Sequence, residues 1–500
     1  MTESSSDRLL LAHSYYLRFD DKQYRRMKPY PPLNTMIVAA MARDRGFDVH
    51  LFDAMLASGP DAFETTLDAV RPRIVAIIED NFNFLTKMCT TRMREAALAM
   101  VRAARSRGCR VVVNGSDATD HAALFLDAGA DAVIVGEVEP TLMEVVEAWR
   151  ADPDAALDSI AGLALKAGVG PVSGNGASGE LPVLGMDGRG GPVRRTPDRD
   201  RLRDLDALPF PAWDLVDVDR YRRAWRDAHG RFSWNMVTSR GCPYGCNWCA
   251  KPVFGRLYTQ RSPSNVAEEM RRLRDEVGPD HIWFADDIWG LTADWIEEFA
   301  REVARRDART PFMIQSRVNL MQPRTVRALE AAGAEEVWMG VESGSQEILD
   351  AMDKGSRVEE ARQATRTLKR HGVLACWFIQ LGYLGEEWED ILMTRDLIRE
   401  ERPDRIGVSV SYPLPGTRFY DMVRERMGRK RNWVDSGDLD MMFHGTYESG
   451  FYRTIRDVLH AEVEAYGDAG ARRRLDRRWA ELEARESRVR MVELAERAPA

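Results

Sequence analysis

Two long stretches of this chain repeat one pattern: a short uninterrupted apolar run, a polar or glycine-bearing turn, then a segment with apolar residues at helical spacing. In the first stretch the apolar runs are Leu9–Ala12, Val49–Phe52, Ile74–Ile78, Val111–Val113 and Ala132–Val135. They are continuous rather than alternating, as strands covered on both faces must be. Helical spacing occupies Met36–Arg45, Met93–Arg107 and Leu142–Arg150. Strand–helix alternation excludes an all-helical or all-β chain and predicts α/β architecture, with a doubly wound parallel sheet over residues 1–150. Ligands of such sheets sit outside the carboxyl ends of the strands, where the strand order reverses.

The second stretch, residues 231–425, carries the runs Trp234–Val237, Ile282–Phe284, Phe312–Ile314, Val337–Met339, Cys376–Ile379 and Ile406–Val410. Helical segments such as Val266–Arg274, Trp295–Arg305 and Glu359–Arg370 separate them. Polar groups follow nearly every run, which fits a partial or full parallel barrel working at its carboxyl rim. Between the two stretches, residues 151–230 read as a connector. Gly168–Gly191 is rich in Gly, Ser and Pro with short apolar runs that could form a hairpin, and Pro209 and Pro211 forbid a continuous helix over Leu205–Asp214. Residues 426–500 read as helical, with Leu475, Trp479, Leu482 and Val489 forming an apolar stripe that packs on the barrel.

Over 500 residues, 44% are hydrophobic and 30% charged, and no apolar run approaches the roughly 20 residues of a membrane span. The opening MTESSSDRLLL lacks a basic region ahead of its apolar residues, so a cytoplasmic location is expected. A formal net charge of -8 argues against a nucleic-acid partner. Six cysteines make no disulfide framework. Cys89, Cys109 and Cys376 stand alone, whereas Cys242, Cys246 and Cys249 form a C-x3-C-x2-C array, a spacing that signals metal binding or redox chemistry.

That array lies in Thr238-Ser239-Arg240-Gly241-Cys242-Pro243-Tyr244-Gly245-Cys246-Asn247-Trp248-Cys249, directly after the first run of the second stretch. Three thiolates can hold three irons of a cubane cluster and leave the fourth without a protein ligand. An open coordination position is what a metal needs to bind substrate. Gly241 and Gly245 let the loop wrap closely. The competing reading is a zinc site, but zinc takes four ligands, and His281 is the nearest downstream histidine with no second cysteine pair beside it.

The array resembles the signature of the radical S-adenosylmethionine (SAM) superfamily, which implies a [4Fe-4S] cluster on Cys242, Cys246 and Cys249. Ile282-Trp283-Phe284-Ala285-Asp286-Asp287 looks like the second-strand motif that meets the SAM amino group. Gly340-Val341-Glu342-Ser343-Gly344-Ser345 resembles the fourth-strand motif, with Glu342 toward the ribose or methionyl moiety. Gln380-Leu381-Gly382-Tyr383-Leu384-Gly385-Glu386 looks like the fifth-strand end beside the adenine, with Gln380 and Gly382 as its contacts. Tyr412-Pro413-Leu414-Pro415-Gly416-Thr417 is similar to the sixth-strand turn that offers backbone hydrogen bonds to adenine. Arg317, after the third strand, is a candidate for the SAM carboxylate or else for an ion pair. Cys376 is a candidate hydrogen donor or radical carrier; more often such a residue is simply buried.

With its first stretch included, the chain resembles the cobalamin-binding class of radical SAM enzymes, which includes the anaerobic magnesium-protoporphyrin monomethyl ester cyclase. The resemblance implies a Rossmann-like domain of the cobalamin-binding type followed by a partial (β/α)6 barrel. Tyr30 and Pro31, Asn81, Gly115-Ser116-Asp117, and Gly136-Glu137 are the implied cobalamin contacts. Leu208-Pro209-Phe210-Pro211-Ala212-Trp213 looks like the interdomain connector. An Asp-x-His-x-x-Gly string, whose histidine coordinates cobalt in many cobalamin domains, is absent, so any cobalamin is expected without a histidine ligand. The class chemistry is a 5′-deoxyadenosyl radical, used in a methyltransferase to methylate an unactivated carbon of a small-molecule intermediate. Oxidative ring closure or rearrangement without methyl transfer is the alternative. RNA modification and non-catalytic cobalamin or redox sensing rank lower, the former because only Cys89 and Cys109 precede the barrel. An external electron donor such as flavodoxin or ferredoxin is implied.

Overall fold

The computed structural model describes residues 7–80, 82, 90–167, 192–249 and 254–490. Asn81, Cys89 and the run Gly168–Gly191 with its expected hairpin lie outside the described residues. The first sheet comprises β1 (Arg8–Ala12), β2 (Asp48–Phe52), β3 (Ile74–Ile78), β4 (Arg110–Asn114) and β5 (Ala132–Ile134), mutually parallel in the order β2-β1-β3-β4-β5. Side chains of alternate parity enter two separate cores, which explains the unbroken apolar runs. Leu10, Val75, Ile77, Val111 and Val113 meet helices Pro60–Val70 and Thr91–Ser106. Leu9, Leu11, Ile74, Ala76 and Val112 meet helices Leu33–Asp44 and Val138–Ala151 on the other face. Helices therefore cover both faces, and the order reverses between β1 and β3.

Two antiparallel strands, β6 (Leu163–Lys166) and β7 (Val193–Arg195), extend this sheet beyond β5. Both fall in the stretch read from sequence as connector. Leu163, Ala164 and Leu165 are buried, but an apolar run this short beside Gly162 carries no periodicity to betray a strand.

The second sheet holds six parallel strands in chain order: β8 (Ser233–Met236), β11 (His281–Phe284), β12 (Phe312–Ser316), β13 (Ala334–Glu342), β14 (Leu374–Leu381) and β15 (Arg405–Val410). Each helical crossover advances the sheet by one strand in the same direction. Between β8 and β11, the short strands β9 (Ser239–Arg240) and β10 (Thr259–Gln260) pair antiparallel and close a loop that carries all three clustered cysteines.

The two halves share one buried core. Tyr30, Leu33, Met36 and Phe82 from the first pack with Trp225, Trp234 and Trp283 from the second. Trp225 Nε1 donates to the Pro29 carbonyl at 2.6 Å, and Asn235 Nδ2 to the Pro31 carbonyl at 3.0 Å. From the carboxyl-terminal region, Ser436 Oγ donates to Asp20 at 2.7 Å and the Trp433 carbonyl accepts from Thr91 N at 2.9 Å. Leu475, Trp479 and Leu482 of helix Ala469–Val489 are buried as the stripe predicts. The helix packs on Ser449–Glu464, with Trp479 Nε1 donating to Glu462 at 2.7 Å. Phe443, Tyr447, Phe451 and Tyr452 are buried. No helix among the described residues is long and apolar enough to cross a membrane.

Candidate functional site

The cysteine loop is shaped by its backbone before its thiols. Gly241 has φ +77°, and a Cβ there would stand 2.3 Å from the Leu257 carbonyl oxygen. Only glycine lets the two sides of the hairpin approach so closely. Cys242 N donates to the Gly255 carbonyl at 3.1 Å and so ties the first cysteine to the returning strand. Asn247, between the second and third cysteines, is the principal anchor. Its Nδ2 donates to the Ala351 carbonyl at 2.7 Å and to Asp353 Oδ2 at 3.2 Å; its Oδ1 accepts from the Tyr383 hydroxyl at 2.9 Å. Its backbone N donates to the Met352 carbonyl and its carbonyl accepts from Phe419 N, both at 3.0 Å. The side chain thus fastens the loop to the segments leaving β13 and β14, and the backbone carbonyl to the segment leaving β15. Nothing in the sequence pattern singled it out beyond its place inside the array.

The carboxyl ends of β11 to β15 surround this loop. Asp286 is buried, accepting from Thr238 Oγ1 at 2.7 Å, from Thr238 N at 3.1 Å and from the Ser239 hydroxyl. Burial lifts its pKa to about 6 despite those donors. It braces the strand entering the cysteine loop, whereas Asp287 beside it is half-buried. Arg317 is also committed: NH1 donates to Cys246 Sγ at 3.4 Å, NH2 to the Lys354 carbonyl, and its guanidinium lies 3.9 Å from the Tyr244 ring centroid. Read from sequence as a candidate for the SAM carboxylate or for an ion pair, Arg317 lies against the cysteine loop.

Glu342 has φ +65° and pairs with Lys354 Nζ at 2.6 Å, both groups being almost fully buried. Removing one member of such a pair would strand the other charge, at about 3–5 kcal/mol. Lys354 was not legible in sequence because its partner lies twelve residues away across a turn. Gln380 Nε2 donates to Ser411 Oγ at 2.9 Å, joining the ends of β14 and β15. Gly382 N donates to Glu386 Oε2 at 2.6 Å, and burial raises the pKa of Glu386 to about 8. Tyr412 packs edge-on against Trp433 with ring centroids 4.4 Å apart, and Pro413 is buried beside it. Cys376 is apart from all of these. It is the third residue of β14, paired in register with Trp338 and with Arg405 at the start of β15. Four residues of strand, roughly 13 Å, separate it from Gln380. Burial, then the Glu336 charge, pushes its thiol pKa up, leaving a buried neutral group at the amino end of the sheet.

The expected contacts in the first sheet divide similarly. At the carboxyl end of β4, Gly115 has φ +153°, and a Cβ there would strike the Glu79 carboxyl at 1.9 Å. Ser116 and Asp117 open the helix Ser116–Asp120, where Asp117 accepts from Arg94 Nε at 2.8 Å. Asn114 Nδ2 donates to the Gly136 carbonyl at 3.1 Å. Among the described residues, four buried polar atoms on the segments leaving β1 and β3 find no partner: Tyr15 Oη, Asn34 Oδ1, Glu79 Oε2 and Thr90 Oγ1. Burial, reinforced by the Asp117 charge, raises the pKa of Glu79 well above the usual carboxylate range, against a hydrogen bond from the Asp117 backbone. Unsatisfied buried groups are costly, and their concentration where the strand order reverses fits a crevice shaped for a polar ligand. Tyr30 faces elsewhere. Its hydroxyl shares a 3.2 Å hydrogen bond with Ser233 Oγ, and its ring lies 4.6 Å from Trp283, at the amino end of the second sheet. Pro31 is there too, through its bond from Asn235. Glu137 is buried against Arg240, at 2.9 Å.

The donors on the loop are three thiols, Cys242, Cys246 and Cys249, with no histidine among them, a set of the kind that ligates iron–sulfur clusters. Among the described residues no three His, Cys, Asp or Glu side chains gather closely enough to hold one metal ion. Zinc would require its ligands within about 2.3 Å of one point. Thiolates that bind separate irons of a cubane stand farther apart.

Residues 27–146 match the family model of the B12 binding domain, and residues 236–398 match that of the radical SAM superfamily. An uncharacterized methyltransferase of Pyrococcus horikoshii is 25% identical over 394 residues, covering 78% of each chain. The anaerobic magnesium-protoporphyrin IX monomethyl ester cyclase of Rubrivivax gelatinosus is 27% identical over 237 residues, 47% of this chain and 41% of that one. The solved structure of the radical SAM methyltransferase TsrM from Kitasatospora setae, with cobalamin and a [4Fe-4S] cluster bound, shares the fold. Its TM-score is 0.65 at 20% identity, covering 85% of this chain and 76% of that one. A B12-binding domain placed ahead of a radical SAM domain makes this chain a member of the cobalamin-binding class of radical SAM enzymes.

Proposed function

We propose that the protein is a cobalamin-dependent radical SAM methyltransferase acting on an unactivated carbon of a small-molecule intermediate. In this reading residues 1–150 are a Rossmann-like cobalamin unit, 151–230 a connector, 231–425 a partial (β/α)6 barrel and 426–500 a helical cover. The observation that carries it is the contact between the two sites. Arg240, two residues before Cys242, is gripped by Glu137 and Glu139 from the carboxyl end of β5. The cysteine loop and the crevice edge of the first sheet therefore meet at one seam, as a methyl carrier and a radical generator serving one substrate require.

Bound there, a [4Fe-4S] cluster with SAM supplies a 5′-deoxyadenosyl radical, and cobalamin supplies a methyl carrier. Cys242, Cys246 and Cys249 would hold the cluster, while Asn247, Asp286 and Arg317 keep their loop rigid. Lys354 and Glu342, with Asp287, offer one cation and two carboxylates to the charged methionyl end of SAM. Gln380, Gly382 and the backbone at Tyr412 and Pro413 would flank its adenine. On the cobalamin side the buried oxygens of Glu79 and Asn34 would meet its polar groups, and Gly115, Ser116 and Gly136 would admit the ligand to the backbone. The buried aromatic seam around Tyr30, Trp225 and Trp283 excludes water from the space between the domains. A soluble donor such as flavodoxin or ferredoxin would deliver electrons to the loop.

Reduced enzyme incubated anaerobically with candidate substrates and deuterated-methyl SAM should form 5′-deoxyadenosine and place label in the product. Product formed without label would instead establish ring closure or rearrangement, the reading favoured by the 27% match to the cyclase.

A further inference from the structure

The Gly136-Glu137-Val138-Glu139 motif, expected at the cobalamin, has its carboxylates turned to a different task. Glu137 caps the helix Val138–Ala151 three residues after the end of β5, and Glu139 lies in the first turn of that helix. Both reach Arg240, whose NH1 donates to Glu137 Oε1 at 2.9 Å and to Glu139 Oε2 at 3.2 Å, and whose NH2 donates to Glu139 Oε1 at 2.5 Å. Glu137 Oε2 also accepts from Leu202 N of the connector at 2.7 Å. Exposures of 3% for Arg240, 8% for Glu137 and 1% for Glu139 leave no charge open to solvent. Phe82 and Phe254 cover the guanidinium, their ring centroids 5.5 and 5.1 Å away.

A buried ionic triad is poor value as stabilisation, because desolvation cancels much of the attraction; its best-attested use is to fix registry. Here it joins two specific places. On one side, Arg240 pairs with Thr259 at the base of the hairpin and precedes Gly241 and Cys242. On the other, Gly136 beside Glu137 accepts from Asn114, next to Gly115 and the Glu79 carboxyl in the crevice wall. The contacts are continuous from the first cysteine to the Glu79 carboxyl.

We infer that Arg240, Glu137 and Glu139 form a coupling joint through which assembly of the cysteine cluster and occupancy of the N-terminal crevice stabilise one another. The inference rests on the two sites proposed above and adds that neither is independent of the other. Ordering the hairpin fixes the guanidinium fork, the fork fixes the β5 turn, and that turn carries one wall of the crevice. Coupling of this kind is reciprocal by thermodynamic necessity. Lysine cannot substitute, since an ammonium lacks the planar fork that meets two carboxylates at once.

Hydrogen–deuterium exchange on the full chain tests this, with wild type, Glu139→Gln and Arg240→Lys compared. Each is measured alone, after anaerobic reconstitution with iron and sulfide, and after addition of hydroxocobalamin. In wild type, iron and sulfide should slow exchange across residues 134–142 by about threefold, and hydroxocobalamin should slow it across 239–249 by a similar factor. In both variants each addition should still protect its own site while cross-protection disappears. Cross-protection that is absent from wild type while own-site protection is present, or that persists in Glu139→Gln, overturns the joint. If neither addition protects its own site, the functional reading fails separately. The joint is then judged on the unliganded chains, where Glu139→Gln should raise hairpin exchange about tenfold, and unchanged exchange there overturns it.

Discussion

Replacing Asn247 by alanine removes three side-chain hydrogen bonds, at 2.7, 2.9 and 3.2 Å, from a residue that is 4% exposed. Each bond contributes about 1 kcal/mol net, so the loop should lose about 3 kcal/mol of local stability. At 1.4 kcal/mol per decade, that multiplies the open fraction of the loop by about 100. The two backbone bonds of Asn247, to Met352 and from Phe419, survive in the closed state and make its amide a reporter of opening. Hydrogen exchange across 242–249 should accelerate by about that factor, while strands β3 and β13 keep wild-type rates. Asn247→Asp should do no better. It retains the acceptor for Tyr383, loses both donors, and sets a carboxylate against Asp353. Acceleration below about threefold in the alanine variant would refute the view that this side chain fastens the loop.

Gly241→Ala should greatly reduce iron incorporation, because φ +77° and the Leu257 carbonyl at 2.3 Å both oppose a Cβ. Gly245→Ala, with nothing within 4 Å, should load iron as wild type does, and the paired iron assays check both. Arg317→Gln removes a charged N–H donor from Cys246 Sγ, so an EPR-monitored titration of the reconstituted cluster should show its reduction potential fall. Glu386 has its pKa raised to about 8 by burial, so the native state holds a proton that the unfolded state releases above its ordinary value of 4.5. Stability should therefore decline as pH rises from about 4.5 to 8, by up to 1.4 kcal/mol per unit. Glu386→Gln should flatten that decline and stabilise the protein at pH 8 in urea unfolding curves.

Eleven parallel strands are legible in the sequence because each shows as an apolar run that overlaps its observed span. The short strands are not. β9 and β10 are two residues each, and β6 is a four-residue run beside Gly162 with no periodicity to mark it. The cysteines are legible as a local motif, since spacing alone brings three thiols onto one loop. Lys354 and Asn247 are not, because their roles depend on which strand ends the topology places side by side. Arg317 and Glu137 carry charges whose presence is legible but whose partners are not, since those partners, Cys246 and Arg240, arrive from distant segments. Tyr30 similarly follows a proline-rich signature, yet its destination at the foot of β8 is decided by interdomain packing.

The central claim is that three thiols on the β9–β10 hairpin hold a cubane with one iron open to SAM. The most direct test is EPR of the anaerobically reconstituted, dithionite-reduced protein before and after SAM, alongside iron, sulfide and zinc counts. The account predicts iron and sulfide near the ~4:4 ratio of a cubane and a reduced-cluster signal whose g-values shift when SAM is added. Zinc in place of iron, or a cubane whose spectrum ignores SAM, would contradict it.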